Sequence, residues 1–134
     1  MVPRGIRNNN PLNIERGQPW QGLRPQQTDN RFCQFTSMEY GFRAGFKILQ
    51  TYFKKRPPLN TVRSIITRWA PPGENNTEAY IHFVCAHGYL NPDEPMKYSE
   101  KNKMCRLVWA MAEMECGQRL PVGRIENAYA MANR

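Results

Sequence analysis

The chain has 134 residues, 40% of them hydrophobic and 22% charged, with nineteen Lys and Arg against eleven Asp and Glu for a formal net charge of +8. This is the composition of a single folded domain with a core of its own, and it excludes intrinsic disorder. No apolar run could span a bilayer and no signal-peptide core opens the chain, so membrane insertion is not expected, and synthesis in the cytoplasm with any export by another route is.

Residues 1–31 lack helical or strand periodicity and are rich in Asn, Pro, Gly and Gln, so they read as a loop or loose hairpin. Residues 31–35 alternate well enough for one short strand, with residues 20–23 as its partner. Trp20 offers a flat apolar ring that would either stack on a sugar or close a small core. Ser37 is placed to cap a helix from 38 to about 54, with Met38, Phe42, Gly45, Phe46, Leu49 and Phe53 facing inward. Gly41 and Gly45 weaken that helix relative to Ala and therefore predict a close neighbour. Lys54, Lys55 and Arg56 end it, where cations suit the helix dipole.

Thr61 begins the next helix, in which Val62, Ile65, Ile66 and Trp69 recur at i, i+3, i+4 and i+7. Pro71 and Pro72 stop it, since neither can donate a backbone hydrogen bond. Asn76 or Thr77 then caps a further helix with Ile81, Val84 and Cys85 inward. Glu74, Asn75, Asn76 and Thr77 are thus held on a short connection between two helices. A turn-rich link at 91–95 leads to a helix from about 99 to 116, and Pro121 opens a last one with Ile125, Ala128, Tyr129 and Ala132 inward.

The helix ending at 116 carries the strongest chemical signal. Met104, Leu107, Val108, Met111 and Ala112 form its apolar stripe, and Glu115 lies about 20° from Met104 around the axis. Glu113 points the other way. Gly117 is suited to end the helix. Desolvation at that place and the negative end of the helix dipole both favour a protonated carboxyl, the state a general acid needs. A Glu at the edge of a stripe can equally reach solvent or pair with an Arg.

Cys33, Cys85, Cys105 and Cys116 have neither CxxC nor His-paired spacing, and His82 and His87 are five apart, so no metal site and no cofactor are indicated. Cys85 and Cys105 read as reduced core residues, although four cysteines could make two disulfides. The basic balance suits nucleic acid, an anionic membrane or an anionic cell-wall polymer. No Lys/Arg face interleaved with aromatics supports the first of these, so nucleic acid is not an expected partner.

Several phrases resemble one family. RGIRNNNPLNI (4–14) is similar to the RGIRNNNPxNI opening of small lysozyme-like proteins from phages, prophages and mobile elements. WQG (20–22), FCQF (32–35), YGFRA (40–44), RWAPP (68–72) and ENNTEAYI (74–81) match as well, and together the phrases cover about residues 4–118. A second resemblance concerns order. Flagellar-type glucosaminidases have a helix ending in a catalytic Glu, then an NLFGI-like turn, a Trp-x-Gly hairpin and an aromatic phrase before the next helix. Here NPLNI (10–14), WQG and FCQFTS (32–37) resemble the later parts, whereas AMAEMECG (110–117) resembles the helix that should precede them.

The resemblance implies a mainly α, lysozyme-like helical domain with a small β-hairpin, circularly permuted, with Glu115 as catalytic acid. Cys116-Gly117 departs from the fuller ESGWG pattern. The implied function is cleavage of peptidoglycan glycan strands, by hydrolysis or lytic transglycosylation, on a cell wall reached by phage or secretion delivery. Glycosidases use two carboxylates, or one with substrate assistance. Glu74 is the expected second carboxylate, or the acid itself if the permutation fails, and Glu15 and Asp29 are weaker candidates. Asn10, Asn13, Asn75, Asn76 and Tyr80 would hydrogen-bond the sugars and Trp20 would stack on one. The alternative is a non-catalytic virion structural or wall-binding protein of the same fold, with a nucleic-acid binder as a third reading.

Overall fold

A computed structural model describes residues 2–134. Six helices run through them: α1 (Arg4–Arg7), α2 (Met38–Phe53), α3 (Val62–Trp69), α4 (Thr77–Gly88), α5 (Lys101–Cys116) and α6 (Val122–Ala132). The local chemistry of their ends explains most of these bounds. Ser37 accepts from the Tyr40 amide. Thr61 and Ser64 cap each other's backbone reciprocally, and Asn76 accepts from the Ala79 amide. Gly117, at φ 75°, closes α5 in the left-handed conformation that costs glycine least.

The packing is mainly helix on helix: α2 on α6, α4 on α5, α3 on α4 and α5 on α6. One hydrophobic cluster runs through it, with Phe35, Phe42, Phe46, Ile65, Ile66, Met104, Leu107, Val108 and Ile125 wholly removed from solvent. The apolar stripes read from sequence on α2, α3, α5 and α6 are the faces that build this cluster, apart from the half-buried Phe53 and Trp69 at their ends. All four cysteines are free thiols. No helix among the described residues is long and apolar enough to cross a membrane.

Two expectations change. The amino-terminal stretch contains α1, whose four residues start behind Pro3 and are too few to show a period. The expected hairpin is reduced to isolated antiparallel bridges, Leu23 with Phe35 and Glu15 with Phe32. The reason lies in how residues 32–36 divide their backbone donors. Thr36 gives its amide to Gly22, while Cys33 gives its own to Ile14 and Phe35 to Asn8. One segment is shared between two partners, so neither pairing grows into a ladder.

That sharing draws the amino-terminal segment onto the helices. Asn9 and Asn13 adopt positive φ, 50° and 52°, which asparagine tolerates better than most residues. Gly41 and Gly45 show why the segment fits so closely against α2. A Cβ on Gly41 would collide with the Asn9 carbonyl, and one on Gly45 would collide with Leu12. The close neighbour predicted from those two glycines is the turn that carries Asn13.

Candidate active site

The carboxyl-terminal end of α5 presents Glu115 to a cleft of about 370 Å³, within the usual size range of ligand sites. Leu12, Asn13, Trp69, Glu74 and Asn75 line it with Glu115, so residues from both ends of the chain and from the middle loop meet there. Both oxygens of Glu115 are held. The Asn13 amide donates to Oε1 at 3.0 Å, and the Tyr80 hydroxyl donates to Oε2 at 2.9 Å. The sequence suggested a carboxyl shaped by burial and the helix dipole; in the structure it is half-buried and also clamped by two donors. Each carboxylate oxygen has a second lone pair, so each keeps capacity for a proton or a substrate hydroxyl.

Tyr80 supports this clamp from α4, where it is 5% exposed. Burial, and then the neighbouring Glu115 charge, push its phenol well above the usual range, so it remains a hydrogen-bond donor. Cys116 anchors the other side: its Sγ donates to the Pro11 carbonyl at 3.2 Å. Burial, followed by the Glu115 charge, raises that thiol to about 11. It is therefore a structural tie in neutral solution rather than a thiolate nucleophile. Glu113 lies on the other side of α5, paired with His87 and Arg119.

Glu74 and Asn75 reach the cleft on the loop between α3 and α4. Thr77 pins that loop by donating to the Ala70 carbonyl at 2.6 Å, and Asn75 donates to the Pro71 carbonyl. Glu74 is exposed and makes no ion pair among the described residues. Glu15 also lines the cleft, but it is bound to Arg31 at 2.9 Å. Phe32 completes that rim beneath two guanidinium groups, Arg4 at 4.7 Å and Arg31 at 4.8 Å from its ring centre.

Four other candidates lie elsewhere. Asn10 is wholly buried. Its amide donates to the Ile14 and Cys33 carbonyls and its oxygen accepts from the Ile14 amide, so it shapes the turn beneath the cleft and has no face for a sugar. Asn76 caps α4 with its side-chain oxygen and does not line the cleft. Trp20 lines a different concavity, on the outer side of α2. Asp29 has an almost buried carboxylate that accepts from Arg4 at 2.6 Å and from Asn8 at 3.0 Å. The Arg4 guanidinium holds that carboxyl well below its usual range.

The cleft also contains residues that sequence reasoning did not single out for a site: Arg31, Phe32, Ile48, Tyr52 and Trp69. Ile48 and Tyr52 were detectable in principle. They are spaced i, i+4 on α2 but offset from its core stripe, which marks a second apolar line facing something other than the core. No cluster of three or more His, Cys, Asp or Glu side chains among the described residues is arranged to hold a metal ion.

No protein-family model matches the chain. A comparison with curated proteins finds Protein P5 of Pseudoalteromonas phage PM2, 47% identical over 85 residues, which are 60% of this chain and 52% of that protein. The chain is similar to a phage protein. The match spans about half the length of that relative, so it carries over neither its activity nor its partners.

Proposed function

We propose that this chain cleaves the glycan strands of peptidoglycan as a lysozyme-like enzyme, with Glu115 as the general acid. The observation that carries the reading is the clamped Glu115 carboxyl at the end of α5, opening on a cleft that also holds Glu74, Asn75 and Asn13. The circularly permuted arrangement has support from the same place. Glu115 bonds to Asn13 across 102 residues of sequence, and Cys116 bonds to Pro11. The helix that carries Glu115 thus meets the NPLNI turn in space, a contact that the permuted arrangement would need. Similarity to a phage protein supports a phage setting, with the enzyme acting on the wall once delivered.

In this mechanism Glu115 delivers its proton to the glycosidic oxygen. Tyr80 and Asn13 then stabilise the resulting carboxylate through the bonds they already make, which involves little reorganisation during the reaction. Glu74, free on its loop, either orients a water or faces the positive charge of an oxocarbenium-like transition state. Asn75 and Asn13 offer amide groups to sugar hydroxyls, and Trp69 offers an apolar wall.

The test is release of soluble muropeptides from purified sacculi by the wild type, Glu115→Gln and Glu74→Gln, each shown to be folded. Glu115→Gln should lower release by about a thousandfold or more, and Glu74→Gln by about ten- to a hundredfold. A wild type that binds sacculi from several species but releases nothing would replace this reading with the non-catalytic wall-binding one.

A further inference from the structure

The outer side of α2 forms one wall of a second concavity, of about 400 Å³, closed by the 19–21 corner and lined by Trp20, Gln21, Arg43, Lys47, Thr51 and Lys54 among others. It contains no carboxylate. Arg43, Lys47 and Lys54 make no ion pair with any described residue. Lys47 and Lys54 follow Arg43 by four and eleven residues, Lys54 as the C-cap of α2, which places the three within about 40° of one another around the helix and spreads them over about 16 Å.

The contrast with the cleft is one of sign. The cleft gathers Glu15, Glu74 and Glu115 around the single cation Arg31, which Glu15 already pairs. The two concavities share α2 as a common wall. Ile48 and Tyr52 face the cleft while their predecessors Lys47 and Thr51 face the groove, a step of about 100° around the axis. An elongated row of cations in a concave wall suits a strand better than a single ion or a flat bilayer. Trp20, half-buried and packed on the core, adds an apolar ring from the 19–21 corner.

We propose that this groove is a second binding site for the wall polymer, an anionic glycan strand whose stem-peptide carboxylates meet Arg43, Lys47 and Lys54 while a sugar lies against Trp20. The assignment of the polymer rests on the proposed function; the groove's charge and shape do not. Its role is to hold the strand beside the cleft so that an acidic site can work on an acidic polymer.

The test is cosedimentation of the protein with purified sacculi, comparing the wild type with the triple variant Arg43→Gln, Lys47→Gln, Lys54→Gln after both have given cooperative melts. The variant should bind about tenfold or more weakly, since each exposed pair contributes only a modest share. Wild-type binding should fall with salt and on amidation of the sacculus carboxylates. Cleavage of a short uncharged chitin oligosaccharide should be unchanged, because the cleft is untouched. Equal sacculus binding by variant and wild type, or wild-type binding indifferent to salt and amidation, overturns the proposal. So does tighter binding to single-stranded DNA that the same substitutions abolish. If the wild type cleaves nothing yet its sacculus binding is lost in the triple variant, the groove stands and the enzyme reading falls.

Discussion

Tyr80 touches Glu115 from beneath the cleft, so its hydroxyl can be removed without altering the cleft's lining. Tyr80→Phe keeps the ring in its packing and deletes one hydrogen bond, at an expected cost of about 1 kcal/mol of stability. The proposed reaction should slow about tenfold or more, with the loss in kcat and little change in KM, because the bond orients the acid and does not touch the sugar. Steady-state kinetics beside a thermal melt would separate the two effects. An unchanged kcat would mean that Tyr80 only packs. Asparagines show how residue type alone misleads. Three from the same two Asn-rich phrases have three fates: Asn13 in the cleft, Asn10 sealed beneath it and Asn76 at a helix cap. Their surroundings separate them, and those surroundings are built from residues far away in sequence.

Among the elements, α2 has the widest reach, since it meets the core, the cleft, the basic groove and the amino-terminal turn. Its two glycines are the fit between helix and turn. Gly41→Ala would drive a methyl group into the Asn9 carbonyl, a collision that backbone cannot relieve by rotating a side chain. An overpacked contact of this kind costs about 1–3 kcal/mol. The turn would also shift, and Asn13 with it, so the proposed glycan cleavage should drop along with the melting temperature. A stable variant with full activity would show that the turn can slide without disturbing Glu115.

The helices themselves were legible because caps and apolar spacing are local signals: Ser37, Thr61, Asn76 and Gly117 mark ends that the structure keeps. The position of Glu115 at the end of an apolar stripe was legible for the same reason. Its partners were not, since Tyr80 is 35 residues away and Asn13 is 102. The basic groove was also hidden, because Trp20 and the α2 cations join it only when the 19–21 corner folds against the helix.

For the molecule as a whole, buried thiols predict how stability responds to alkali. Burial lifts Cys105 and Cys116 from 9.0 to about 11. Between those values the unfolded chain releases protons that the folded one keeps, so the stability these two thiols contribute is full below pH 9 and declines as pH rises toward 11. Replacing both by Ala should flatten this decline, measured as the melting temperature against pH, even if the melting temperature at neutral pH falls. An unaltered slope would place the alkaline sensitivity elsewhere. The bond from Asn13 to Glu115 has a last consequence, for a chain still on the ribosome. Once Asn13 is made, about a hundred further residues must follow before its partner is. Until α5 has emerged and docked, a nascent chain has no assembled acid. The proposed activity is thus confined to copies complete through α5, and a finished copy should lose it when a protease removes the segment that carries Asn13.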